Sequence, residues 1–181
     1  MSRSIFLQAA FVAISGIVFF GAVGTTRAAD AQPGAMVGCS APEYRQLDFK
    51  IGEFDVTGIG GARAGESVVE AALQGCLLIE HWTGAISGKG RATMFYDRQQ
   101  RKWHQLYVTD DGDIMRLSGQ FDGAALVLLG QNDFDVFKGL HRMIWSPLPN
   151  GGVLQDWTIS RDNGATWEIV HVGNYARRSA R

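Results

Sequence analysis

The chain predicts an all-β protein, an antiparallel up-and-down meander closing into a barrel of about eight to ten strands. Three observations predict it. Turn signals recur every dozen or so residues between Glu53 and Tyr175, at Gly60-Gly61, Gly88-Lys89-Gly90, Asp97 to Arg101, Asp110-Asp111-Gly112, Asp122-Gly123, Asn150-Gly151-Gly152 and Asp162-Asn163-Gly164. The runs between them are short and carry β-branched and aromatic residues, which favour strands. No helical segment is long enough to return the chain to a parallel neighbour.

The first residues stand apart from this domain. Met1-Ser2-Arg3 is a short basic start, 5–23 is almost wholly apolar, and Thr25-Thr26-Arg27-Ala28-Ala29 supplies small residues suited to cleavage. That order predicts a signal peptide over 1–29, with a retained membrane anchor as the competing assignment. The small-residue exit favours cleavage, and with it a periplasmic or secreted protein with no membrane attachment. Cleavage after Ala29 leaves about 152 of the 181 residues, enough for one domain with one core. Arg3 and Arg27 leave with the leader, moving the formal charge from −1 to about −3. A mildly acidic chain without a Lys/Arg cluster argues against nucleic acid and anionic membrane surfaces.

The remaining elements follow in order. A small-residue linker spans 30–42, and 43–181 form the single β-barrel domain. Tyr44, Leu47 and Phe49 share a side at helical spacing, which predicts one or two helical turns ahead of the first strand. Strands are expected at 53–57, 66–73, 77–83, 91–96, 102–109, 113–120, 124–129, 140–145, 153–160 and 166–175. Asp122-Gly123 and Asn150-Gly151 offer the positive φ values that tight hairpins need. Cys39 and Cys76 are the two cysteines, and an exported chain meets an oxidising compartment, so a single disulfide is expected between them. Met36-Val37-Gly38-Cys39 loosely imitates a lipoprotein cleavage site, the competing use of Cys39. A polar spacer of about ten residues after the apolar run, and the Cys76 thiol it would leave over, weigh against it.

Alternate strand residues face opposite sides. Four strands then show faces that mix one polar group with bulky apolar ones: Leu78, Glu80 and Trp82; Trp103, Gln105 and Tyr107; Leu140, Arg142 and Ile144; and Val153, Gln155, Trp157 and Ile159. If these faces converge, Glu80, Gln105, Arg142 and Gln155 line an aromatic cavity, the usual composition of a ligand site. The alternative is an internally satisfied Glu80–Arg142 pair that serves only the fold.

The four histidines, His81, His104, His141 and His171, are scattered, with no i, i+2 pair on a strand, so no metal site is expected. His104 adjoins the densest aromatic cluster and is the best single candidate among them. Ser160-Arg161-Asp162-Asn163-Gly164-Ala165-Thr166-Trp167 matches the Asp-box pattern of sialidase-type propellers, but once only, and a propeller needs several blades. It is expected to act as a hairpin device. There is no Gly-x-Ser-x-Gly and no glycine-rich phosphate loop, so nucleophilic catalysis has no signature and no cofactor is implied.

Several phrases together resemble an uncharacterised bacterial exported family, a domain of unknown function with a lipocalin/calycin-like barrel. They are Leu47-Asp48-Phe49-Lys50-Ile51-Gly52-Glu53-Phe54-Asp55-Val56, with Phe54 where that family usually has Trp, then Gly75-Cys76-x-Leu78-x-Glu80-x-Trp82, Tyr96-Asp97, Trp103-His104-Gln105 and His141-Arg142, followed by the Asp-box ending. The resemblance implies the calycin-like barrel and carries no activity or ligand with it. More distantly the chain is similar to haem-binding nitrobindin-type barrels, without a residue matching their haem ligand. The expected function is binding of a small amphipathic or aromatic molecule by a monomer or weak homodimer. Trp82, Trp103, Tyr107 and Trp157 would form walls, Arg142 would meet an acidic group, and Gln105 and Gln155 would orient the ligand beside Glu80. A small hydrolase or isomerase using Glu80 or His104 as acid/base is the first alternative. A structural envelope-associated protein with no ligand is the second.

Overall fold

The computed structural model describes residues 39–132 and 137–179. The expected signal peptide and all but the last residues of the expected linker lie outside the described residues. Ten strands run in sequence: β1 (Gly52–Thr57), β2 (Arg63–Ala72), β3 (Leu77–Gly84), β4 (Lys89–Asp97), β5 (Lys102–Thr109), β6 (Ile114–Phe121), β7 (Leu126–Asn132), β8 (Gly139–Pro147), β9 (Val153–Ser160) and β10 (Glu168–Arg177). Each pairs antiparallel with its neighbours in sequence, and β10 closes on β1 with Phe54 opposite Arg177 and Val56 opposite Tyr175. This is the predicted meander, and closure removes the exposed strand edges that an open sheet would present.

The hairpins are specified locally. The Asp122 carboxylate accepts from the amides of Ala124 and Ala125 at 2.9 and 2.8 Å, and Gly123 takes φ +99°. Asn150 accepts from the Gly152 amide at 3.0 Å. Short polar side chains that bond their own turn are the physical reason such residues punctuate strands. The Asp-box makes the β9–β10 turn in the same way. The Ser160 hydroxyl donates to Asp162 at 2.7 Å and accepts from the Gly164 amide at 2.7 Å, and Asp162 also accepts from the Thr166 amide and hydroxyl at 2.8 and 2.6 Å. These bonds, the Thr166 hydroxyl first, pull the Asp162 carboxyl down to about 2. The motif satisfies itself.

One end of the barrel is plugged. A single helical turn, α1 (Pro42–Arg45), and a 3₁₀ turn (Asp48–Lys50) precede β1. Leu47 is wholly buried among the barrel's apolar residues, Tyr44 packs edge-on against Tyr96 at 5.5 Å, and Gln46 Oε1 accepts from the Trp103 indole at 2.9 Å. Arg177 donates to the Phe49 and Ile51 carbonyls at 2.9 and 2.6 Å. Gly52, at φ +136°, makes that approach feasible, because a Cβ there would lie 2.2 Å from the guanidinium. The Cys39–Cys76 disulfide ties the start of the plug to the head of β3, so Cys39 takes the paired rather than the lipidated role here.

Closing a 37-residue separation contributes about 4 kcal/mol on the chain-entropy account. Replacing both cysteines by serine should lower the urea-unfolding free energy by roughly that amount. A change under about 1 kcal/mol would mean that the non-covalent plug contacts hold the segment unaided.

Candidate functional site

The end opposite the plug is open and leads into a cavity of about 550 Å³. The mouth lies among the β1–β2, β3–β4 and β5–β6 turns, represented by Ile59, Ile86 and Asp111. Trp82, Tyr107 and Trp157 form aromatic walls, with Met115, Met143, Trp145 and Tyr175 deeper. The inward parity expected for β3, β5 and β9 holds: Leu78 and Glu80, Trp103 and Gln105, and Val153, Gln155 and Ile159 are all buried. β8 has the opposite parity, presenting His141, Met143 and Trp145 to the interior.

That reversal moves Arg142 out of the cavity. Its guanidinium lies over the Trp167 ring at 4.2 Å and donates to the Thr158 hydroxyl at 3.3 Å. Both faces of β8 mix one basic residue with large apolar ones, so its pattern alone assigns no inner side. The interior cation is Lys50, only 2% exposed, with its ammonium 3.3 Å from the Glu80 carboxylate and 2.8 Å from the centre of the Trp145 ring. Glu80 also accepts from the Ser67 hydroxyl at 2.7 Å. Burial pulls Lys50 down to about 8, against the opposing pull of Glu80. A charged lysine this deep is tolerated only because it is paired and stacked.

Above this floor the tryptophans fix the polar groups. The Trp145 indole donates to Gln105 Oε1 at 3.2 Å. An indole can only donate, so the amide orientation follows and its NH₂ group faces the cavity. Gln105 lines the cavity, and the buried side-chain polar atom left without a partner among the described residues is His104 Nε2 instead. Gln155 is spoken for: Oε1 accepts from Tyr175 at 3.0 Å and Nε2 lies 2.9 Å from the Met143 sulfur. The Trp157 indole donates to His141 Nδ1 at 2.9 Å, so Nε2 carries the proton and donates to the Phe137 carbonyl at 2.5 Å. Burial lowers the His141 imidazole further and keeps it neutral at pH 7. Burial, then Glu80, pushes Tyr175 well above the usual phenol range; burial, then Glu80, Asp110 and Asp111, pushes Tyr107 to about 12.

Of the expected ligand-binding residues, Glu80, Trp82, Gln105, Tyr107, Gln155 and Trp157 come together around the cavity. Trp103 is buried in the closed half, held by Gln46. His104 is on the outer side of β5, stacked on Phe95 at 5.2 Å, so it and Glu80 are separated by the barrel wall and do not form an acid/base pair. Lys50 and His141 were absent from the expected set. The only signal for Lys50 was its place between Phe49 and Ile51, and for His141 the company of Met143 and Trp145. Among the described residues no three His, Cys, Asp or Glu side chains converge on a metal-sized site.

The buried pair predicts a coupled cost. Lys50→Met or Glu80→Gln alone should destabilise by about 3–5 kcal/mol, and the double variant by clearly less than the sum; additive losses in chemical denaturation would show that the pair is not coupled. The folded state holds the Lys50 proton less tightly than the unfolded chain, so stability should rise with pH from about 8. The raised tyrosines keep protons that the unfolded chain releases, so it should fall above about pH 10. Lys50→Met should abolish the rise and keep the fall.

No family model matches the chain, and no curated protein matches it. The closed antiparallel barrel is the part of the family resemblance that the fold bears out.

Proposed function

We propose that this chain is an exported, non-enzymatic barrel that binds a small amphipathic or aromatic molecule through its open end, in the manner of lipocalin-like proteins. One observation carries the reading: a cavity of about 550 Å³, open at one end, with aromatic walls and the Gln105 amide in its lining. That volume falls within the usual range for small-molecule sites, and a few polar groups among apolar walls is their usual lining. Trp82, Tyr107 and Trp157 would clasp the apolar body. The Gln105 NH₂ would donate to a carbonyl, ether or hydroxyl oxygen at the deep end. Arg142 takes no part. Export accords with the apolar leader and with the disulfide, which persists in oxidising compartments. A monomer or weak homodimer suffices, since the cavity is built from one chain. Glu80 is engaged by Ser67 and Lys50 and His104 lies on the outer side of β5, so the two do not meet across the cavity.

Native mass spectrometry of protein purified gently from its own host should find a retained small molecule. Ala64 lines the cavity, so Ala64→Trp should fill it and lose that mass while the far-UV spectrum and unfolding midpoint are kept. Wild-type protein that is empty, and that takes up no aromatic probe in a fluorescence titration, would leave a barrel with a structural role only.

A further inference from the structure

Resting on that reading, we infer that the cavity selects ligands carrying a positive charge near its mouth, an ammonium group on an aromatic or amphipathic body, over carboxylic acids. Among the described residues, four charged ones line the cavity: Arg63, Glu80, Asp111 and Asp113. Arg63 is paired with Glu66, and Glu80 with Lys50. Asp111 and Asp113, on the β5–β6 turn, have no ion-pair partner among the described residues. The Thr109 hydroxyl donates to Asp111 and holds its carboxyl below the usual range, so it is ionised at neutral pH. His171, also in the lining, is lowered by burial and adds no positive charge at pH 7.

The charge imbalance at the mouth therefore sits beside aromatic walls. Trp82, Tyr107, Phe137 and Trp157 all line the cavity, and aromatic faces attract alkylammonium groups that have shed part of their water. The phenol of Tyr107 senses the same field: after burial, the groups that hold it neutral are Glu80, Asp110 and Asp111, all anionic. Burial opposes a charge of either sign, whereas the carboxylates around Tyr107 oppose a bound carboxylate and favour an ammonium. At the other end the cavity is lined by Gln105, whose Oε1 is taken by the Trp145 indole, which leaves its NH₂ to meet a ligand. That NH₂ is a donor, so it takes a neutral oxygen acceptor. The geometry describes a ligand with an acceptor at the deep end, an apolar middle and a cation at the mouth.

Three near-isosteric probes separate the possibilities: 3-phenylpropyltrimethylammonium, 3-phenylpropan-1-ol and 3-phenylpropionate, each titrated by tryptophan fluorescence at low salt. The ammonium should bind about five-fold or more tighter than the alcohol, and the carboxylate weaker than either. Asp111→Asn with Asp113→Asn should erase the ammonium's advantage over the alcohol, and added salt should shrink it. Equal binding of the three probes, or tightest binding of the carboxylate, overturns the charge selectivity but leaves the binding cavity standing. An advantage that survives both asparagine substitutions overturns the assignment to the mouth carboxylates. No binding by any probe overturns both the selectivity and the reading it rests on.

Discussion

A lysine ammonium buried at the closed end of the barrel decides what the interior can be. Lys50 arrives from the short turn before β1, meets Glu80 of β3 and lies on the Trp145 ring of β8. A lone charge in that position would be unaffordable. Paired and stacked, it joins the plug to two walls of the barrel and gives a floor with no net charge. The disulfide and the Arg177 contacts to the Phe49 and Ile51 carbonyls hold the same segment from outside. A ten-stranded cylinder thereby becomes a cup with a single mouth.

What lies above the floor follows from tryptophan chemistry. An indole is a large apolar surface with one obligatory donor, so a buried tryptophan both walls a cavity and orients an acceptor. Trp145 spends its N–H on Gln105 and Trp157 spends its own on His141. The first bond turns the Gln105 NH₂ toward the cavity. The second sets the tautomer of a neutral histidine. The polar lining is thus arranged by the walls themselves, which is the kind of preorganisation that lets a small site bind without paying to order its own side chains.

The architecture was legible because hairpin meanders are specified locally. Asp122-Gly123, Asn150-Gly151 and the Asp-box each make their turn with their own side chains, and every expected strand is present. The site was legible only where a strand has one clearly polar and one clearly apolar face, or where a polar residue alternates with aromatics as in β3, β5 and β9. On β8 the two faces, Leu140-Arg142-Ile144 and His141-Met143-Trp145, are nearly equal in apolar content, and only tertiary packing selects between them. Lys50 was hidden for a different reason. It sits outside any strand, where period-two reasoning does not apply, and its burial depends on Glu80, 30 residues away.

The five tryptophans offer the most direct measurement of whether the cup is a binding site. Their indole N–H groups give separate ¹⁵N–¹H resonances, and Trp82, Trp145 and Trp157 line the cavity while Trp103 and Trp167 do not. Titration with 3-phenylpropan-1-ol should shift the resonances of Trp82, Trp145 and Trp157 along one saturable curve and leave the other two in place. Unmoved cavity indoles, or a saturable shift confined to Trp167 on the outer face, would contradict the account.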